Sequence, residues 1–138
     1  MPAMPKTPLP WWLIVIIVLE TLPMFLGPYV AVTRPAFMGG PEAETINQAA
    51  FIYAIRNIAV GIALILATAL RSAPMLFALI LVRLITDFGD LPTILTFGLV
   101  QNEALTIGIF VFLYYIPALI ALRYLWGQMI KSAPDNPA

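Results

Sequence analysis

The strongest constraint on the fold of this chain is the length of its apolar stretches. A membrane-spanning helix needs roughly 20 consecutive apolar residues. Four stretches come close to that length, and they cover residues 11–32, 49–70, 74–91 and 104–125. The composition agrees, because 62% of the residues are hydrophobic and 10% are charged, unlike a soluble domain. The sequence therefore predicts an all-α polytopic membrane protein, with a bundle of four transmembrane helices in residues 11–130.

Residues at the edges of these stretches are typical of helix ends. Thr45 and Gln48 have the spacing of a capping box, which would start the second helix. Ser72 and Asn102 are good N-cap residues for the third and fourth helices. Pro92 follows the third stretch and predicts that this helix ends before it.

The lysines and arginines predict the orientation of the bundle. Basic residues concentrate on the cytoplasmic side of a membrane protein. Lys6, Arg71 and Lys131 fall on one side of the four spans, whereas the other side carries mainly acidic residues. We therefore expect a multi-pass protein of the plasma (inner) membrane with both termini in the cytoplasm. The proline-rich segments at residues 1–10 and 131–138 are predicted to be cytoplasmic tails.

The side-chain chemistry of the chain is limited, because it has no cysteine and no histidine. This excludes disulfide bonds, thiol catalysis, zinc–thiolate sites and histidine-dependent catalytic triads. We therefore predict no metal and no cofactor, while bound lipid is compatible with the sequence. The net charge is zero and no basic patch is present, so nucleic acid is not expected as a partner.

Five charged residues fall inside the predicted spans, where an unpaired charge is costly. They are Glu20, Arg56, Arg83, Asp87 and Asp90. The three on the third helix have i, i+4 and i+7 spacing and therefore lie on one face, which we expect to point into the bundle. The rise per residue predicts matched depths for two pairs, Glu20 with Arg83 and Arg56 with Asp87.

Three further polar residues lie near these depths. Asn57 is close to the pair that contains Arg56, while Tyr114 and Tyr115 are close to the pair that contains Glu20 and would line a pocket there. The whole cluster has two interpretations. Its charges are locking pairs that fix the register of the helices, or they line a polar pocket or proton path, as intramembrane charges commonly do.

Small residues on the second helix predict a packing face. Ala59, Ala63 and Ala67 are spaced four residues apart, and Gly61 lies next to them. Small residues let membrane helices approach each other closely. We expect this face to pack inside the bundle, and contact with another subunit is the alternative.

Residues 51–91, "FIYAIRNIAVGIALILATALRSAPMLFALILVRLITDFGDL", contain an Arg followed by a Gly in helix 2, then an Arg and a nearby Asp in helix 3. These residues are Arg56, Gly61, Arg83 and either Asp87 or Asp90. In this pattern the segment resembles small four-helix membrane proteins of the DoxX-like type. The resemblance implies a compact four-helix bundle in the plasma membrane. Some such proteins are accessory subunits of redox or membrane assemblies, and no catalytic residue carries over.

These observations favour a non-catalytic accessory or structural subunit of a larger membrane complex. Its partners would be membrane lipids and other membrane subunits, or further copies of this chain. The alternative is a binder of a lipophilic molecule, or an isomerase- or hydrolase-like enzyme acting on one, with Glu20, Asp87 or Asp90 as acid or base. We expect a bundle of this size to leave no generous pocket beside the charge pairs. A proton or ion carrier ranks third.

Overall fold

The computed structural model describes residues 5–133, and every regular element in that range is helical. The elements are α1 (Trp11–Thr21), α2 (Pro23–Thr33), α3 (Pro35–Gly39), α4 (Gln48–Ala69), α5 (Ala73–Thr96), α6 (Glu103–Ile109), a π-helical segment (Phe110–Tyr115) and α7 (Ile116–Ser132). The predicted all-α class is confirmed.

Three helical stretches are long and apolar enough to cross a membrane within the described range. They are Trp11–Thr33, Gln48–Ala69 and Glu103–Ser132. The helix α5 is long enough as well, because its 24 residues extend about 36 Å at about 1.5 Å per residue. It differs from the others in carrying Arg83, Asp87 and Asp90. Three of the four predicted spans thus have the required length and apolarity, and the span formed by α5 stays a prediction.

The first of these stretches is interrupted at Leu22, between α1 and α2. Pro23 begins α2, and a proline has no N–H group for the helical ladder. Leu22 nevertheless keeps helical dihedral angles, with φ −56° and ψ −46°, and its N–H donates to the Val18 carbonyl at 2.9 Å. The chain therefore continues from α1 into α2 as one helical stretch, Trp11–Thr33.

The N-caps differ from the prediction at one helix. Asn47 caps α4, and its Oδ1 accepts a hydrogen bond from the Ala50 N–H at 2.9 Å. The capping box predicted from Thr45 and Gln48 is therefore wrong, because the N-cap is Asn47, directly before Gln48. The caps predicted for α5 and α6 are confirmed, and they are Ser72 and Asn102.

Two helices extend beyond their predicted ends. Pro92 lies inside α5, which continues to Thr96, so the prediction that the helix ends before Pro92 is wrong. A proline inside a helix removes one hydrogen bond, and a long apolar helix tolerates that loss where neighbours compensate. The helix α7 continues to Ser132, so the predicted tail begins inside a helix.

The helices pack side by side in a closed arrangement. The helix α2 packs against α4, α4 against α5, α5 against α7, and α1 against both α4 and α7. Large apolar side chains from all of these except α2 fill the core between them. Those with no solvent exposure are Leu13, Leu64, Leu76, Ile80 and Leu125.

The small-residue face of α4 is only partly as predicted. Gly61 and Ala67 are buried, but Ala63 is half-buried and Ala59 is exposed. The buried residues of α4 instead include Leu64, which lies three residues from both Gly61 and Ala67. Packing inside the bundle is therefore wrong for Ala59, because a strict four-residue spacing drifts around a helix of about 3.6 residues per turn.

Gly61 allows the close contact between α2 and α4. A Cβ atom at this position would lie 2.8 Å from the Phe25 ring and 3.0 Å from the Cβ of Met24. The Phe25 ring can rotate away, but the Met24 Cβ is fixed to the backbone of α2. Any larger residue at position 61 therefore has to push the two helices apart.

We expect Gly61→Val to lower the free energy of unfolding by about 1–3 kcal/mol, the usual cost of overpacking a close contact. The matched control is Gly89→Val on α5, where an added Cβ would meet no atom within 4 Å. Both substitutions change helix propensity alike, so their difference reports the steric effect. Detergent-denaturant titration followed by circular dichroism measures it, and equal stability of the two variants would contradict the contact.

The chain before α1 is fixed to one end of the bundle, which we call the terminal end (residues 5–10, 70–73 and 129–133). The Thr7 N–H donates to the Arg71 carbonyl at 2.9 Å, and the Tyr124 hydroxyl donates to the Pro8 carbonyl at 2.9 Å. Thr7 is buried. Part of the predicted N-terminal tail is therefore packed on the bundle, while the remaining tail residues, 1–4 and 134–138, lie outside the described residues.

Candidate functional site

A cluster of three charged side chains lies in the middle of the helix packing. Glu20, Arg83 and Asp87 are 0%, 5% and 4% exposed. Arg83 Nη2 lies 3.0 Å from Asp87 Oδ1 one turn away on α5, and Arg83 Nε lies 3.7 Å from Glu20 Oε2 on α1. The structure therefore brings together Glu20 and Arg83, the pair predicted from their matched depths.

The hydrogen bonds of this cluster are incomplete. The contact between Arg83 and Asp87 has hydrogen-bond length, whereas the 3.7 Å separation from Glu20 is too long for one. Within the described part of the chain, both Glu20 oxygens and Asp87 Oδ2 have no hydrogen-bond partner. One guanidinium thus serves two buried carboxylates, and an ionised carboxylate is costly to bury without full pairing.

The second predicted pair, Arg56 with Asp87, is wrong. Arg56 lies on an exposed face of α4 and forms no ion pair with any residue between 5 and 133. The Asp87 carboxylate instead contacts Arg83 on its own helix. The rise per residue predicts the height of a side chain, but the direction in which it points depends on how each helix is rotated.

The two predicted tyrosines occupy different positions. The Tyr115 hydroxyl donates to the main-chain carbonyl of Asp87 at 2.9 Å, and its ring stacks on Phe88 with centroids 4.4 Å apart. Tyr115 therefore links the π-helical segment to α5 at the level of the charged cluster. Tyr114 lines a cavity beside Asp87.

Three cavities meet at Tyr53 and Asp90, which line all of them. The inner cavity has a volume of about 290 Å³ and adjoins Arg83 and Asp87. The groove cavity, about 450 Å³, lies between α4 and α5 and includes Arg56 and Asn57. The loop cavity, about 620 Å³, lies at the opposite end from the terminal end, between residues 36–41 and the turn after α5. The cavity that adjoins both Arg83 and Asp87 is the smallest of the three, and the expectation that the bundle leaves no generous pocket beside the charge pairs stays a prediction.

The lining of the inner cavity combines acidic and aromatic side chains. The acids are Asp87 and Asp90, and Asp90 forms no ion pair with a described residue. Four aromatic residues share the wall, and they are Phe37, Tyr53, Phe110 and Tyr114. Such a lining can hold a small molecule with an apolar body and one polar or charged group.

Sequence reasoning missed Tyr53, although it borders all three cavities. Asn57 lies one turn later on α4, and its Nδ2 donates to the Tyr53 carbonyl at 2.8 Å. The i, i+4 spacing places Tyr53 on the same face of α4 as Asn57, and this could have identified Tyr53 from the sequence. Phe37 and Phe110 gave no such signal, because they come from a short helix and from the π-helical segment.

No group of three or more acidic side chains with the geometry of a metal site occurs among residues 5–133. The described chain is thus an all-helical protein with three helices able to cross a membrane, a buried ion-pair cluster and cavities beside it. Comparison of the chain with protein-family models, with curated proteins and with solved structures gave no match.

Proposed function

We propose that the protein is a small multi-pass protein of the plasma membrane that binds a lipophilic small molecule in its inner and loop cavities. Four segments would cross the bilayer: α1 with α2, then α4, α5, and α6 with α7. Both termini would lie in the cytoplasm. The observation that carries the binding role is the position of the cavities beside an incompletely paired, buried ion cluster.

The distribution of residues around α5 supports its membrane crossing. Its charged residues Arg83 and Asp87 are buried against other helices. Its opposite face is apolar and exposed, with Leu81, Val82 and Ile85 at 37%, 49% and 63%. A spanning helix with intramembrane charges has this arrangement, because the charges face the bundle and the apolar residues face lipid.

The cavity dimensions support a ligand of small-molecule size. Ligand pockets commonly measure about 300–1,000 Å³ and have mostly apolar walls with a few polar groups. The inner and loop cavities share Phe37 and Ile94 in their walls and have volumes of about 290 and 620 Å³. A ligand would place its polar group beside Asp87 and its apolar part towards Phe97 and Leu99.

A second candidate function is a non-catalytic accessory subunit, which is also what a DoxX-like membership would suggest. The observation that favours it is the exposed Ala59 on α4, between the exposed apolar residues Ile58 and Ile62. A small residue on a lipid-facing surface allows another membrane helix to approach closely. On this reading the protein purifies in mild detergent as a particle much larger than its own 15.2 kDa.

We expect Ile94→Trp to abolish ligand retention, because Ile94 lines both the inner and the loop cavity and an indole there fills shared space. The matched control is Ile85→Trp, on the exposed face of the same helix. Native mass spectrometry after mild-detergent purification should detect a bound lipophilic molecule on the wild type and on Ile85→Trp but not on Ile94→Trp. If the wild-type protein carries no small molecule and purifies within a large complex, the accessory-subunit function is favoured instead.

A further inference from the structure

We propose that the ligand of the inner cavity is an organic ammonium cation with an apolar tail. This inference rests on the proposed ligand-binding function and adds the chemical class of the ligand. It is carried by a juxtaposition in the inner cavity, where two carboxylates, one guanidinium and four aromatic rings line a space of about 290 Å³.

The charge of the cavity wall favours a cation. Asp87 is 4% exposed, and its Oδ2 has no hydrogen-bond partner in the described part of the chain. Asp90 lines the same cavity without an ion pair to a described residue. The guanidinium of Arg83 already contacts Asp87 and Glu20. A positive group beside Asp90 in the inner cavity would balance the negative charge that the single guanidinium leaves uncompensated.

The aromatic residues favour an ammonium group over a metal ion. Phe37 and Tyr53 lie with ring centroids 5.9 Å apart, and Phe110 and Tyr114 with centroids 5.7 Å apart, and all four line the cavity. The faces of aromatic rings attract alkylammonium groups, and sets of such rings recognise quaternary ammonium ligands. Metal cations instead need several oxygen ligands, and no such group occurs among residues 5–133.

The neighbouring loop cavity favours an apolar tail. It joins the inner cavity at Phe37, Tyr53, Asp90 and Ile94, and it adds walls from Phe97, Leu99 and Val100. Its volume of about 620 Å³ is roughly twice that of the inner cavity, about 290 Å³. A ligand with its ammonium group beside Asp87 can therefore extend its apolar part into this space.

The test compares benzyltrimethylammonium with neopentylbenzene, in which a carbon atom replaces the charged nitrogen. Isothermal titration calorimetry of the detergent-purified full chain should detect binding of the cation. Neopentylbenzene at the same concentration should not displace it. We expect Asp87→Asn and Asp90→Asn each to weaken cation binding by at least about tenfold, because each removes a charge facing a desolvated cation. The matched control is Glu103→Gln, an exposed acid outside the cavity, which should leave the affinity unchanged.

Asp90→Asn keeps the test valid if Asp87→Asn fails to fold, because Asp90 takes no part in the ion pairs of the described residues. Equal binding of the two probes, or full affinity in Asp90→Asn, would overturn the ammonium ligand while leaving the proposed binding function standing. Binding of neither probe would also overturn it, and the mass-spectrometric test at Ile94 then decides separately on the binding function.

Discussion

Replacing Arg83 by leucine should be the most destabilising single substitution in the charged cluster. Among residues 5–133, the change removes the only guanidinium that contacts Glu20 and Asp87, which are 0% and 4% exposed. Breaking a buried ion pair from one side typically costs about 3–5 kcal/mol, because the remaining charge stays buried without a partner. We expect a loss of that size in the free energy of unfolding, measured by denaturant titration in detergent. The control is Arg56→Leu, an exposed arginine without an ion pair to a described residue, which should cost less than about 0.5 kcal/mol.

A second substitution should recover part of this loss. The double variant Arg83→Leu with Glu20→Leu no longer has a buried, unpaired carboxylate on α1. It should therefore be more stable than Arg83→Leu alone. Adding Asp87→Asn should restore more, because no buried carboxylate of the cluster then remains. Strictly additive free energies in the double-mutant cycle would show that Glu20 and Arg83 do not interact.

Both termini should lie on the same side of the membrane. If α1–α2, α4, α5 and α6–α7 each cross, the number of crossings is even, and the basic residues Lys6, Arg71 and Lys131 place that side in the cytoplasm. Green fluorescent protein fused after Ala138 should therefore fluoresce, and alkaline phosphatase fused after Val100 should be active. These reporters give an all-or-none result.

The same fusions test the crossing of α5. If only the three apolar stretches cross, the chain after α5 is inverted and the two termini lie on opposite sides. Fluorescent protein fused ahead of Met1 is the reference for the N-terminal side. Fluorescence there combined with none after Ala138 would refute the crossing of α5 and with it the four-span proposal.

The sequence predicts best what depends on a single helix. Apolar length predicted the helices, and Ser72 and Asn102 predicted two of their starts, because capping is decided within one turn. Pro92 was misjudged because its effect depends on neighbours: α5 continues through it within the packed arrangement. The end of a helix at a proline is a local tendency that tertiary packing overrides.

The site could be predicted only in part for a related reason. Depth along a helix follows from residue number, so the approach of Glu20 to Arg83 was predictable. The rotation of α4 about its axis is not encoded in depth, and it turns Arg56 to an exposed face, away from Asp87. The cavities lie beside Tyr53 and Asp90, and two of them also beside Ile94. Their shape depends on how several helices pack together, which the sequence of one helix does not determine.

The burial of apolar side chains is uneven along the long axis of the described chain. Around the terminal end Leu13, Leu64, Leu76 and Leu125 have no solvent exposure. The opposite end holds the three cavities that meet at Tyr53 and Asp90, and the π-helical segment there has no buried residue, whereas the terminal end has one further cavity of about 580 Å³ beside Arg71 and Met129. Amide protons should therefore exchange slowly near the terminal end and faster around Thr93 and Thr106, because local opening is easiest where packing is sparse. Under the proposed binding function, the end around Thr93 and Thr106 would open for the ligand while the buried leucines keep the helices in register.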